Sequence, residues 1–299
     1  MKQTNSWSLL VILITIVTII SCSKGVSKEQ KMRNKQMMEA AQKQKDYNKV
    51  LQLADSLEAE GCMSQAQACY WRGYAYDRMK EKDKAEAYWR QAMDIVSKSG
   101  SNEDIDMYEK SASHLANLLC LNSDFKGTLQ MALPAIKLLD EQKRDTTSDY
   151  VNLLIYIGLS QVSTGASEDD AESAFLLARK KHQENIARNR NDATYKEAIA
   201  GLVNIAYYCV NAGKYQAALY YTSSFGELLS EYQHRPEADA AYMDRQVGRY
   251  TIYKAKALKM LGRRREASNT YDAFLATDFS KTGEGKHLAE EYQTLKPEQ

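Results

Sequence analysis

Proline and histidine are scarce in this chain, with three prolines and four histidines in 299 residues. Few prolines mean few interruptions of helices. No G-x-x-x-x-G-K-[ST], G-x-G-x-x-G or G-x-S-x-G sequence occurs. The sequence therefore does not predict a phosphate-binding loop, a dinucleotide-binding fold or the nucleophile elbow of a hydrolase. The histidines lie far apart and show no short spacing to cysteine or carboxylate. We therefore expect no enzyme, with no catalytic residue, metal ligand or cofactor.

Neither sign of charge is in excess, because 40 Lys and Arg stand against 39 Asp and Glu. Duplex binding relies on a basic face, so nucleic acid is not expected as a partner. Long apolar runs are also missing apart from Leu9 to Ile20, which follows Lys2. That run is too short to cross a hydrocarbon core of about 30 Å and is typical of a signal-peptide core.

The leader ends in Ile19-Ile20-Ser21-Cys22, after which the chain becomes polar. This segment resembles the lipobox of bacterial lipoproteins. The resemblance implies cleavage before Cys22 and acylation of that cysteine, which would anchor the chain to a membrane. With serine rather than aspartate after the cysteine, it favours the outer membrane facing the periplasm. The alternatives are an ordinary cleaved signal peptide and a short membrane anchor.

The segment after Cys22 is basic, with eight Lys or Arg and three acids between residues 23 and 49. This excess could contact anionic headgroups or form a solvated helix face. The other cysteines are Cys62, Cys69, Cys120 and Cys209. Seven helical residues separate Cys62 from Cys69 by about 10 Å, beyond disulfide reach. Buried thiols are favoured, although a turn at Cys62 would permit a bridge.

A helical-hairpin pattern recurs along the rest of the chain. Its clearest copy is YWRGYAY at residues 70–76 followed by KDKAEAYWRQA at residues 82–92. The spacing of Gly73, Ala85, Trp89 and Ala92 resembles the tetratricopeptide repeat. The resemblance implies an all-α fold, a right-handed α-α superhelix of about six helical hairpins.

Six repeats are predicted from turns in which a small or polar residue is followed by a polar residue and then by a bulky one. The later repeats exceed the usual period, so longer helices or extended loops are expected, with residues 188–194 and 234–239 as the places for loops. The domain boundaries predicted are a signal peptide at 1–21, a tether at 22–30, the repeat array at 31–279, and a capping helix and tail at 280–299. The turns begin at Lys45, Lys80, Ser123, Gly165, Gly213 and Gly262.

Repeats of this family bind ligands in a concave groove formed by the first helix of each pair. Transferring the family's groove positions to this sequence gives candidates in four of the six repeats. The simpler interpretation of each candidate is that its side chain fills a gap between helices or lies on a helix surface and binds no ligand. The candidates are Tyr70, Tyr74, Asp77, Arg78, Asn117, Tyr207, Asn211, Lys256 and Lys259.

The resulting hypothesis is a lipid-anchored scaffold or sensor module of a Gram-negative envelope that binds a protein or peptide. Its long, irregular repeats are similar to those of the sensor halves of tetratricopeptide regulatory proteins. A glycan- or nutrient-binding lipoprotein of an uptake system is the alternative, which exposed tyrosine and tryptophan rings would favour.

Overall fold

The computed structural model describes residues 27–99, 104–165 and 168–296. The predicted signal peptide and Cys22 lie outside these ranges. Within them every α-helix is followed by another helix, and no strand occurs. The helices are α1 (Lys28–Lys43), α2 (Tyr47–Ala59), α3 (Gln65–Arg78), α4 (Lys82–Ser99), α5 (Ile105–Leu121), α6 (Phe125–Glu141), α7 (Ser148–Thr164), α8 (Glu168–Asn189), α9 (Asp192–Asn211), α10 (Tyr215–Tyr221), α11 (Phe225–Gln233), α12 (Ala240–Met260), α13 (Arg264–Leu275) and α14 (Gly283–Thr294).

The six predicted turns separate the two helices of each pair, so the all-α fold of helical hairpins is confirmed. The second helices begin at residues 47, 82, 125, 168, 215 and 264, within or directly after the predicted turns. In two turns the mechanism is the same. Lys45 and Ser123 adopt positive φ angles of 56° and 61°, and the aspartate that follows each caps the next helix.

The chain divides into two compact units, one ending at Ser111 and the other beginning at Ala112. In the first unit α1 packs on α2, α2 on α3, and α3 on α4. Met38, Val50, Ala54 and Ala75 form part of its core, each at most 1% exposed. Consecutive contact of this kind is what a helical-repeat array requires.

A glycine facing an aromatic ring joins α3 to α4 in the first unit. Trp89 on α4 is 1% exposed, and its Cδ1 lies 2.5 Å from the place where a Cβ on Gly73 would stand. The indole therefore rests directly on the α3 backbone. Ala85 and Ala92 on either side of it are fully buried, so the repeat signature describes the contact surface between the two helices.

In the second unit the first helices contact one another as well as their own partners. α7 packs on α8 and on α9, α9 packs on α10 and on α12, and α12 packs on α13 and on α14. Phe175 of α8 repeats the indole contact, because a Cβ on Gly158 would stand 2.9 Å from its ring. Small and apolar side chains of the later hairpins are buried between the helices, namely Ala116, Thr128, Ala132, Ala135, Ala171, Ala178, Ala206, Ala218, Ala255, Leu258, Ala267 and Phe274.

The second helix of the fifth pair is broken, which the sequence pattern did not predict. α10 ends at Tyr221 and α11 begins at Phe225. Tyr250 of α12 holds the break, since its hydroxyl donates to the carbonyl of Thr222 at 3.2 Å. Its ring stacks on Phe225 at 3.9 Å between centroids. The Thr222 carbonyl also accepts from the Phe225 N–H at 3.0 Å, so it is satisfied inside the fold.

α14 lies in the segment predicted as a capping helix and packs on α12. Lys256, only 6% exposed, forms an ion pair with Glu291. The Lys259 ammonium donates to the Tyr292 carbonyl at 2.6 Å and lies 4.4 Å from the centroid of that tyrosine ring. Two predicted groove lysines are thus engaged by the last helix of the chain.

We expect Gly73→Ala to destabilise the first unit by about 1–3 kcal/mol, because the new methyl overlaps the Trp89 ring and the indole has nowhere to move. The measurement is urea unfolding of the full chain followed by circular dichroism. The matched control is Gly226→Ala in α11, where an added Cβ meets nothing within 4 Å. Equal stability of Gly73→Ala and the original chain would show that the close contact is unimportant.

His182 of α8 makes a similar contact in the second unit. Its Nε2 atom would lie 2.6 Å from a Cβ on Gly201, and it has no hydrogen-bond partner among the described atoms. The residue is 8% exposed. Burial lowers the pKa of His182 to about 4, since the charged imidazolium loses its hydration there. The imidazole is therefore neutral at pH 7.

Lowering the pH should destabilise the folded chain through protonation of His182. The unfolded chain takes up the proton near pH 6.5, whereas the folded chain does so only near pH 4. Stability is therefore lost as the pH falls through that window, by up to about 3 kcal/mol. Between pH 7.5 and pH 4, we expect the unfolding free energy of the original chain to fall by that much more than that of His182→Leu. Parallel losses in the two proteins would contradict this assignment.

Candidate binding surface

A row of four tyrosines and one asparagine follows the first helices of the second unit. It consists of Asn117 on α5, Tyr156 on α7, Tyr207 and Tyr208 on α9, and Tyr253 on α12. Ring centroids lie 6.0 Å apart between Tyr156 and Tyr208 and 5.3 Å apart between Tyr207 and Tyr253. We call this set the tyrosine row. It links four consecutive first helices through side-chain contacts.

The row is held together by a hydrogen bond at the α5 end. The Tyr208 hydroxyl donates to Asn117 Oδ1 at 3.0 Å. Burial raises the pKa values of Tyr156 and Tyr208 well above the usual value for a phenol. Both hydroxyls therefore stay protonated at neutral pH, and that of Tyr208 acts as a hydrogen-bond donor within a mostly buried set of rings.

A cavity of about 330 Å³ opens beside the tyrosine row. Its wall comes from the carboxyl-terminal ends of three first helices, α5, α7 and α9, and from the turn after α5. We call it the first-helix cavity. The residues that line it are Cys120, Leu121, Ser123, Phe125, Leu159, Ser163, Tyr207, Tyr208, Asn211 and Ala212.

Polar side chains line part of this cavity. Ser163 Oγ is buried and has no hydrogen-bond partner within the described ranges, while Asn211 is exposed at the end of α9. Leu121 is 51% exposed and supplies an apolar surface. A buried hydroxyl without a partner costs about 1–3 kcal/mol, which a bound donor or acceptor would offset.

The Cys120 thiol in the cavity wall is not activated. Its sulfur lies 3.5 Å from Thr128 Oγ1 and 3.6 Å from Ser160 Oγ. Burial raises the pKa of Cys120 above the usual thiol value, and it raises the pKa of Cys209 to about 12. Both groups are neutral thiols at pH 7, so they serve as small packing groups. Cys62 and Cys69 are also free thiols.

The predicted groove residues do not share one environment. Tyr207 and Asn211 line the first-helix cavity together, and Asn117 belongs to the tyrosine row. In the first unit Tyr70 and Tyr74 are each only 7% exposed. The Tyr74 hydroxyl accepts from Gln42 Nε2 at 2.9 Å.

The two charged groove residues predicted in the first unit are more accessible. The Arg78 guanidinium lies 5.2 Å from the Tyr74 ring centroid, which is within the range of a cation–π contact. Arg78 is exposed and Asp77 is half-buried. Lys256 and Lys259 contact α14, as described above.

Sequence reasoning missed the cavity residues of the fourth repeat, although the signal was present. Counting from the small residues Ala116, Gly158 and Ala206, the positions one and five residues later line the cavity or the tyrosine row in all three repeats. In the fourth repeat these positions are Leu159 and Ser163. Applying one register to every repeat would have found them.

In the described part of the chain, no group of three His, Cys, Asp or Glu side chains is placed to hold a metal ion. A search of the same residues finds no helix that combines the length and apolar character needed to cross a bilayer.

No family model and no curated protein matches this chain. Solved structures do match it in fold. BtubC from P. vanneervenii is 12% identical with a TM-score of 0.51, and the match covers 92% of this chain and 96% of BtubC. PilW, a type IV pilus biogenesis factor, is 18% identical with a TM-score of 0.51, and the match covers 88% of this chain and 100% of PilW. At these identities the likeness concerns the fold alone.

Proposed function

We propose that this chain is a lipid-anchored helical-repeat scaffold or sensor module that binds a peptide segment of a partner protein on the first-helix surface of its second unit. The first-helix cavity carries the proposal. Three consecutive repeats contribute equivalent positions to it, and it offers an unpartnered hydroxyl, an exposed amide and an apolar wall.

The chemistry of the cavity suits a peptide. The Asn211 side chain can both donate to and accept from a peptide group. Leu121 and Leu159 offer contact to an apolar side chain, while the tyrosine row provides rigid rings beside them. A volume of about 330 Å³ is enough for one or two side chains of a partner. PilW, which has a similar fold, is described as a pilus biogenesis factor. A role in biogenesis is compatible with a scaffold.

Photocrosslinking in intact cells tests the binding surface. A photoreactive phenylalanine analogue at Asn211 should give a discrete protein adduct, because this position faces the cavity mouth. The same analogue at Leu176, which is 41% exposed on α8 outside the cavity wall, should give none. We expect Leu121→Asp to reduce the Asn211 adduct by about tenfold, since a carboxylate would have to be desolvated on binding.

Leu133→Asp is the matched control for that substitution. Leu133 is 49% exposed on α6 and does not line the cavity, so the same change of charge should leave the adduct unaltered. Equal loss in both variants, or an adduct that persists in Leu121→Asp, would contradict binding at the cavity.

The anchor is proposed from the sequence around Cys22. Several buried acyl chains are needed for lasting attachment, each methylene contributing about 0.8 kcal/mol. We expect Cys22→Ala to release the full chain from membranes during an alkaline wash of Gram-negative host cells. Cys62→Ala, which removes a half-buried thiol of the first unit, should remain in the pellet. If Cys22→Ala also remains in the pellet, the anchor assignment is wrong.

A further inference from the structure

A second cavity, of about 240 Å³, lies in the second unit between α8, α9 and α11. It shares no lining residue with the first-helix cavity, and two of its three helices are second helices of their pairs. We call it the second-helix cavity. The residues that line it are Arg179, His182, Gln183, Ile186, Ala187, Arg190, Tyr195, Ala198, Leu202, Ser224, Glu227, Leu228 and Glu231.

The second-helix cavity has a buried floor that is mostly apolar. Ile186, Ala198 and Leu202 are each at most 9% exposed, and the neutral imidazole of His182 lies beside them. Hydrocarbon walls of this kind favour an apolar side chain, because its burial removes surface from water.

The broken helix of the fifth pair supplies the far wall. α11 begins at Phe225 after the interruption that Tyr250 holds in place. Ser224 at this break and Leu228 one turn into α11 both line the cavity. The feature that departs most clearly from a regular hairpin therefore forms part of the second-helix cavity.

Charges of opposite sign stand at the rim on opposite walls. Arg179 and Arg190 come from α8 and the residue that follows it, whereas Glu227 and Glu231 come from α11. None of these four side chains forms an ion pair with another described residue. Charged neighbours do pair, for example Arg235 with Glu237 at 2.5 Å.

Two of the rim charges repel each other. Glu227 and Glu231 are four residues apart on one helix face, where like charges destabilise the helix by about 0.2–0.5 kcal/mol. A ligand with an anionic group for the arginines and a cationic group for the glutamates would offset this repulsion. The arrangement therefore matches a ligand that carries both charges.

We propose that the second-helix cavity binds a small zwitterion with an apolar side chain, namely a free amino acid or a short peptide. Its carboxylate contacts Arg190, and its ammonium contacts Glu227 and Glu231. Its side chain enters the space between Ile186, Leu202 and Leu228. The volume of about 240 Å³ lies below the usual range for drug-sized ligands, about 300–1,000 Å³, and fits a molecule of this size. The proposal is independent of peptide binding at the first-helix cavity.

Isothermal titration calorimetry of the full chain in detergent micelles tests the ligand class. The probes are L-leucine, leucyl-leucine, isocaproate, which lacks the amine, and isoamylamine, which lacks the carboxylate. We expect leucine or leucyl-leucine to bind, and both single-charge analogues to bind at least about tenfold more weakly. Binding of leucine alone indicates a free amino acid as the ligand, whereas tighter binding of leucyl-leucine indicates a peptide.

Variants of exposed residues locate the binding without disturbing the core. Ala187→Phe should fill the cavity mouth and abolish binding, while Ala193→Phe on α9 places the same ring on exposed surface away from the lining. Arg190→Gln and Glu227→Gln should each weaken binding by about tenfold, and Arg188→Gln should not.

Several results would overturn the proposal. These are absence of binding by both leucine and leucyl-leucine at millimolar concentration, equal binding of a single-charge analogue, and unchanged binding in Ala187→Phe. Loss of the Asn211 crosslink in cells has no bearing on this titration, so failure at one cavity is distinguishable from failure at the other.

Discussion

The close approach of paired helices is the constraint on which the rest of this structure depends. Gly73 under Trp89 and Gly158 under Phe175 let an aromatic ring lie on a helix backbone. With a larger side chain at either glycine the helices would have to separate, and the neighbouring pair would lose its contact surface. Because neighbouring pairs within a unit pack on one another, a local fault at one interface affects those beside it.

Much of the fold was predictable because the same local rules recur in every repeat. Small residues, a bulky partner and a turn beginning with a residue such as Lys45 or Gly213 identify each hairpin. The break between α10 and α11 was not predictable, since it depends on Tyr250 from another helix reaching the Thr222 carbonyl. A contact between residues 28 positions apart leaves no periodic signal in the sequence.

The candidate sites show the same division. Tyr207 and Asn211 were found because they occupy family groove positions, and the first-helix cavity brings them together. Tyr156 was missed because its role comes from contact with Tyr208 across two helices. The second-helix cavity was missed because four rim charges scattered between residues 179 and 231 become neighbours only after α8 and α11 pack against α9.

The contact between α14 and α12 limits where further hairpins can be inserted during evolution. Glu291 compensates a lysine that is almost fully buried on α12. A gene duplication that inserted another hairpin between α13 and α14 would remove that carboxylate and leave a cation without a counter-charge. Repeats can therefore be gained or lost more readily upstream of α12, and the α12–α13 hairpin would be inherited together with α14.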